Sequence, residues 1–407
     1  MAGTQLPAAA TVDLADILRQ YGPTWLKNHP APLRYRKVMR AIVGCRTAAM
    51  GGRRQWCLCG YQRYVYFSCR NRHCPQCQTM AKEMWREARQ SELLPVPYFH
   101  HVFTIPHQLN RLVLWNERNQ RALLKLLFDA VAATLLKFGQ EELNGQVGFT
   151  LVLHTWDQRL RPHFHLHCLM PSGALAEGRS KWIAGGSRFL FSVRALSKVY
   201  RGKFLEGLTA LWKEERLMLP PDLASLDERG WKAWAKCLRK HSWVVYSKPP
   251  FAGPRKLLDY LSRYTHRVAI SNDRIQSSAH GEVKFTYRDR ADANRRKLAT
   301  IPADDFISRF MRHILPDRFT RVRHYGFLAN RNKKESLAQI RQLLGTVTPS
   351  PESPQTTQRW LQEVLGVDPT RCPCCGRSLF SEILPLTDVP QTTASPAPVT
   401  TIARPPP

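Results

Sequence analysis

Apolar and polar positions alternate from Arg161 to Cys168 in "RPHFHLHCLM" (Arg161–Met170), a period of two that predicts a β-strand. Neighbouring side chains of a strand point to opposite faces. His163, His165 and His167 therefore share one face, and Phe164, Leu166 and Cys168 the other. "PYFHHVFTIP", "GFTLVLHTW", "WVVYSKPP" and "EVKFTYRDR" are rich in aromatic and β-branched residues and read as further strands. In "ALLKLLFDAVAATLLKF" (Ala122–Phe138) apolar positions recur at helical spacing, with Lys125, Asp129 and Lys137 between them. That pattern predicts a helix with one buried face, too interrupted by charge to span a bilayer.

The same reading places helices before Cys45 and through most of Ser192–His241, where "LPPDLASLDERG" breaks the pattern. "GPRKLLDYLSRYTHRV" (Gly253–Val268) reads as a helix opened by Pro254, a residue tolerated in a first turn. "TPSPESPQTT" has the composition of a linker, and the Pro- and Thr-rich end is expected to be disordered.

Charge changes the picture next. The 407 residues carry 61 Lys and Arg against 31 Asp and Glu, a formal net charge of +30. A surplus of that size implies a polyanionic partner, and nucleic acid is the usual one. The N-terminal residues lack a basic segment followed by an apolar one, so no signal peptide is read and a cytoplasmic, nucleoid-associated protein is expected. Disulfides are then unlikely, and the eleven cysteines need another role.

Those cysteines are clustered. Cys45, Cys57, Cys59, Cys69, Cys74 and Cys77 crowd one segment, and Cys372, Cys374 and Cys375 another. "WCLCGYQRYVYFSCRNRHCPQCQ" reads knuckle, short strand, knuckle, which is how a zinc ribbon is built. The expected ligands of a closed, structural zinc are Cys57 and Cys59 with Cys74 and Cys77; Cys45, Cys69 and His73 are spare donors that allow a second ion. "CPCC" near the C-terminus is a knuckle without a neighbour in sequence.

In "DYLSRYTHR", Tyr260 and Tyr264 stand four apart, on one face of a helix. Alone they fit an aromatic core stripe with Leu257 and Leu261 as well as a catalytic pair. Beside an alternating histidine strand and a basic, zinc-binding chain, they fit DNA cleavage by a tyrosine nucleophile. Two imidazoles can hold a metal on a scissile phosphate while a phenol attacks. The phenol needs help to ionise, because its free pKa is about 10.

At these residues the chain resembles the two-tyrosine HUH transposases of rolling-circle insertion sequences. The resemblance runs through "CRTAAMGG", "SCRNRHCPQCQ", "YFHHVFTIP", "LHTWDQRLRPHFHLHCLMP", "KPPFAGPRKLLDYLSRYTHRVAISNDRI" and "FISRFMRHILPDRFTRVRHYGFLANR". Its His-hydrophobic-His pair falls on His165 and His167, and its paired tyrosines on Tyr260 and Tyr264. "CLC" is tighter than the knuckle that the family usually carries. The resemblance implies single-stranded DNA nicking and rejoining through 5′-phosphotyrosine intermediates, at the ends of the protein's own element and in target DNA. It also implies catalytic Mg²⁺ or Mn²⁺ and typically a third polar ligand. His154 is the favoured choice, because "LVLHTW" can run antiparallel to the histidine strand, and His163 is the other.

The expected architecture is α+β. A helical segment (1–44) and a zinc-binding domain (45–92) precede an antiparallel-sheet nuclease core (93–285) that carries a helical insertion near 172–242. A basic region (286–345) and a linker, knuckle and tail (346–407) follow. Expected DNA contacts are Arg263, His266 and Arg267 beside the tyrosines, then Arg295, Arg296 and Lys297, and Arg321, Arg323 and Tyr325. Phe319, Tyr325 and Phe327 are candidates to stack on bases. No GxxxxGK[ST] loop is present, so helicase function is assigned to the host's replication machinery. Two rival readings remain: a metal-independent tyrosine recombinase, which leaves the alternating histidines unexplained, and a non-catalytic zinc-ribbon protein that binds nucleic acid.

Overall fold

The computed structural model describes residues 12–241, 243–248, 268–289, 291–347 and 368–385 and the single positions 362 and 366, apart from the side chains of 79–80 and 86–88. The described strands are β1 (Gly52–Trp56), β2 (Gln62–Tyr66), β3 (Tyr98–Thr104), β4 (Gly145–Gln146), β5 (Gly148–Trp156), β6 (Pro162–Pro171), β7 (Gly173–Ala176), β8 (Trp182–Ala184), β9 (Val245–Lys248), β10 (Ile275–Ala279), β11 (Glu282–Asp289), β12 (Arg295–Pro302), β13 (Val322–Gly326) and β14 (Phe380–Leu384). The central sheet has five strands in the order β13-β5-β6-β3-β9, all antiparallel. Three smaller sheets surround it: β14-β1-β2, β10-β11-β12 and β4-β7-β8. The mixed helix and antiparallel-sheet architecture is the α+β class read from the sequence.

Alternation along the strands gives the central sheet two unlike faces. Phe99 and Phe103 on β3, Phe149, Leu151 and Leu153 on β5, and Phe164, Leu166 and Met170 on β6 are all buried in one apolar cluster. Over them lie the helices Glu117–Leu143 and Val193–Lys213, which supply Leu124, Leu127, Phe128, Leu196, Tyr200 and Phe204. Each such side chain removed from water contributes about 1.5–3 kcal/mol before chain entropy is set against it. The long helix starts where Asn116 accepts a hydrogen bond from the Asn119 N–H at 2.9 Å, and ends at Asn144 with φ of 48°. The other face of the sheet carries His100, His154, His165 and His167.

A second core joins parts that are remote in sequence. The helices Leu14–Asn28 and Leu33–Gly44 pack with the helix Ala303–Met311 and the sheet β10-β11-β12 around Leu14, Trp25, Ile42, Phe285, Phe306 and Phe310. Trp25 Nε1 donates to Ser308 Oγ at 2.8 Å across that contact. The stretch 286–345, read from its charge as a basic region, thus contains β12, β13 and two helices, and β13 is an edge strand of the central sheet.

Candidate metal centre and DNA-processing site

His165 and His167 lie on β6, and the antiparallel register sets His154 of β5 opposite His165. One nitrogen from each of His154, His165 and His167 lies within 4.8 Å of the others. All three are buried, with 2%, 7% and 5% of their surface exposed. Metal–nitrogen bonds of about 2.0–2.2 Å need donor atoms roughly 3–4 Å apart, so a small closure brings the trio onto one ion. The donor set fits a divalent transition metal, which imidazole suits.

Hydrogen bonds fix which nitrogen of two of these rings faces the centre. His165 Nδ1 lies 2.9 Å from the His163 carbonyl oxygen, and His167 Nδ1 lies 2.9 Å from His100 Nε2. Both rings are held from behind at Nδ1, which directs Nε2 outward, the arrangement seen where a ligating imidazole is oriented by a second group. Burial first, then His101 and Lys248, pull His100 down to about 3, so it is neutral near pH 7. Its rings stack with those of His167 at 5.1 Å. His100 was not picked out by the sequence reading, although "FHHVF" puts one of its two histidines on each face.

His163 takes a different place. The ladder between β5 and β6 has an irregularity between His154 and Trp156. Beyond it the His163 ring lies 4.6 Å from that of His165 and 5.4 Å from that of His107, and it is outside the donor trio. It contributes its carbonyl to His165 instead.

The cysteines divide differently from the sequence reading. Cys45, Cys69, Cys74 and Cys77 form one group whose sulfurs lie within 4.8 Å of one another, and Cys57 and Cys59 form another with Cys372 and Cys375. The reason is the β1–β2 hairpin. Cys57 and Cys59 sit at its turn, while Cys69 follows Phe67, which is bonded to Arg46 and Gly51 at the open end. Five-residue strands separate those ends by about 15 Å, so no ion bridges "CLC" and "CPQC". His73 also stands apart from both groups. Its imidazole lines a cavity with His313 and Arg321, and burial, then Arg72 and Arg321, hold it well below its usual pKa.

Tyr260 and Tyr264 lie outside the described residues, as do Arg263, His266 and Arg267. The described chain stops at Lys248, register-paired with His100, and resumes at Val268, which lines a cavity with Thr155 and Trp156.

The other expected DNA contacts fall in unlike environments. Arg295 and Arg296 are exposed on β12, Arg295 with one carboxylate, Asp292, at 3.5 Å, whereas Lys297 sits between Asp289 at 2.9 Å and Asp292 at 3.0 Å. Arg321 is half-buried, and burial with Arg72 nearby lowers its pKa to about 10. Arg323 packs over the Phe128 ring at 4.1 Å and Tyr325 stacks on Phe149 at 5.3 Å, both on the helix-covered side of the sheet. Phe319 and Phe327 are buried, so they offer no ring to a base; their aromatic character serves the core.

The chain is similar to known transposases. Residues 148–336 match the family described as "Putative transposase", and residues 17–105 match the "Transposase zinc-binding domain". The chain is 42% identical over 381 residues, covering 91% of it and 95% of the relative, to the "Putative transposase y4qJ" of Sinorhizobium fredii (strain NBRC 101917 / NGR234). It is 28% identical over 340 residues, 82% of it and 80% of the relative, to the transposase for insertion sequence element IS801 of Pseudomonas savastanoi pv. phaseolicola. Among solved structures, the conjugative relaxase TrwC in complex with oriT DNA is similar at 18% identity over 41% of this chain and 71% of that one, with a TM-score of 0.21, too slight to carry an argument. The matched families and relatives are transposases, enzymes that process DNA. The chain belongs to the two-tyrosine HUH transposases of rolling-circle insertion sequences. Its N-terminal domain binds zinc, and it acts on DNA. Among the described residues, no helix is long and apolar enough to cross a membrane.

Proposed function

We propose that this transposase nicks and rejoins single-stranded DNA at the ends of its own element, with His154, His165 and His167 holding a catalytic divalent ion and Tyr260 and Tyr264 as nucleophiles. The observation that carries the reading is the buried histidine trio, two of whose rings are tied back through Nδ1. When bound, a divalent ion supplies Lewis-acid polarisation of the scissile phosphate. The tyrosine phenol loses its proton and its oxygen bonds to phosphorus. The bond from phosphorus to the 3′ oxygen breaks, and that oxygen leaves as a free 3′-OH. The DNA 5′ end stays esterified to the tyrosine, so no water is consumed and the phosphodiester energy is kept for rejoining. Two tyrosines allow two DNA ends to be held at once during strand transfer.

Cys45, Cys69, Cys74 and Cys77 hold the structural zinc of the matched zinc-binding domain. Exposed Arg295 and Arg296 bind phosphate, and strand separation comes from the host's replication or helicase functions. The test is nicking of a labelled single-stranded oligonucleotide carrying the element's end, with the duplex as control. His165→Ala with His167→Ala should abolish nicking, as should EDTA. Cutting of the duplex that survives EDTA would instead establish the recombinase reading.

A further inference from the structure

The C-terminal "CPCC" has a partner more than three hundred residues away. β14 adds to β1 as the third strand of the N-terminal sheet, with Trp56 opposite Phe380 and Gly52 opposite Leu384. The added strand brings Cys372 and Cys375 to the turn of the β1–β2 hairpin. Cys57 Sγ lies 3.4 Å from Cys375 Sγ, and Cys59 Sγ lies 3.5 Å from Cys372 Sγ. Zinc–sulfur bonds of about 2.3 Å set tetrahedral sulfurs roughly 3.8 Å apart. A disulfide requires about 2.05 Å. The spacing matches that of the first group, where Cys45 and Cys69 lie 3.5 and 3.6 Å from Cys77.

The two knuckles are also built alike. Gly60 N–H donates to the Cys57 carbonyl at 3.0 Å, and Gly376 N–H donates to the Cys372 carbonyl at 2.9 Å. Cys57 N–H in turn donates to the Tyr61 carbonyl at 2.9 Å, and Cys372 N–H to the Arg377 carbonyl at 2.7 Å. Each loop turns through a glycine in the left-handed region, with φ of 88° at Gly60 and 71° at Gly376, a conformation other side chains adopt only with strain. "CLCG" and "CPCCG" therefore close the same kind of turn with loops of different length. Around them, Arg63 donates to the Pro369 carbonyl at 2.8 Å, Arg371 donates to the Gly376 carbonyl at 3.2 Å, and Arg54 pairs with Glu382 at 3.0 Å. These contacts brace the C-terminal knuckle and tie its strand to the N-terminal hairpin.

We infer that Cys57, Cys59, Cys372 and Cys375 hold a second structural zinc, which clasps the C-terminal strand onto the N-terminal module. The ion has four thiolate ligands and no open position, so its work is mechanical. It fixes β14 along β1 and closes a chain loop that a single short ladder would hold weakly. Cys374, exposed beside the knuckle, is outside the ligand set.

The test uses the full-length chain carrying His165→Ala and His167→Ala, so that the histidine centre adds no metal. Zinc is measured by inductively coupled plasma mass spectrometry against protein quantified by amino-acid analysis. Two zincs per chain are expected, falling to one with Cys372→Ser and Cys375→Ser and staying at two with Cys374→Ser. Cobalt exchange gives a measurement that does not depend on the variants folding: the thiolate charge-transfer band of the otherwise unaltered chain should correspond to two tetrathiolate sites. One tetrathiolate site per chain, or two zincs undiminished by the paired Cys→Ser change, would overturn the inference. So would a Cys57–Cys375 disulfide in protein purified under reducing conditions.

Discussion

His100 Nε2 lies 2.9 Å from His167 Nδ1, within a pair of buried, stacked rings on adjacent strands. The bond ties down Nδ1 of His167, so under the proposed metal assignment His100 orients a ligand without being one. Losing an orienting partner of this kind typically costs roughly 10–100-fold in metal affinity. His100→Ala should raise the Mn²⁺ concentration for half-maximal nicking by that order, while nicking at saturating Mn²⁺ is largely restored. His100→Gln, which keeps a polar atom near His167, should fall between. Loss of activity that excess metal does not restore would show that His100 acts in another way.

An all-imidazole donor set favours the softer of the two candidate ions. Hard Mg²⁺ prefers oxygen ligands and keeps several waters, whereas Mn²⁺ accepts nitrogen more readily. Nicking rates at equal metal concentration should be higher in Mn²⁺ than in Mg²⁺. Equal or higher rates in Mg²⁺ would contradict the ligand assignment.

A buried histidine on the opposite face makes stability depend on pH. His101 is fully buried with Phe99 and Phe103, and among the described residues neither of its ring nitrogens has a hydrogen-bond partner. Burial lowers its pKa from 6.5 to about 4. His313, bonded to Thr155 and Leu160, is likewise lowered to about 4 by burial. Between those values the unfolded chain binds protons that the native chain does not. Acid therefore destabilises the fold: the penalty is absent above pH 6.5 and grows as the pH falls toward 4, at about 1.4 kcal/mol per pH unit for each group. His101→Phe replaces an unpartnered imidazole with an apolar ring. It should be at least as stable as the parent at neutral pH and lose less stability on acidification. Urea unfolding midpoints of both proteins across this range check it, and an unchanged pH slope would count against the role given to His101.

The expected DNA contacts separate by environment. Arg295 and Arg296 are exposed, while Arg323 lies over the Phe128 ring. Arg295→Ala with Arg296→Ala should weaken single-stranded DNA binding and reduce the slope of log affinity against log salt by about 1 to 2, with thermal unfolding unchanged. Arg323→Ala should lower the unfolding temperature more than it alters that slope. Fluorescence anisotropy at several salt concentrations, beside thermal melts, distinguishes them, and the reverse pattern would move the DNA track to β13.

Local sequence carried the parts of this fold whose signals are local. Alternation over "RPHFHLHCLM" placed three histidines on one face, and the antiparallel relation of "GFTLVLHTW" to that strand brought His154 into reach. It did not tell His163 from the other two, because the irregularity in the ladder after His154 depends on how the turn to β6 is made. Cysteine density marks a metal-binding segment, but the sulfurs nearest Cys57 and Cys59 are those of Cys375 and Cys372, and nothing in a local pattern reports a contact across that separation. "RVRHYGF" was read by its charge, yet its alternation is that of the edge strand β13. Phe319 and Phe327 show the same limit: a basic, aromatic stretch looks like a nucleic-acid surface until burial shows which side chains face the core.

In the proposed reaction a phenol of this chain becomes covalently joined to DNA with the help of the histidine-bound ion. The direct measurement incubates the protein with a labelled single-stranded oligonucleotide bearing the element's own end, resolves covalent adducts on a denaturing gel and identifies the modified peptide by mass spectrometry. A 5′-phosphotyrosyl adduct at Tyr260 or Tyr264 is expected in Mn²⁺, absent in EDTA and absent from the protein carrying Tyr260→Phe and Tyr264→Phe. An adduct that persists in that double variant, or one that forms undiminished in EDTA, would contradict it.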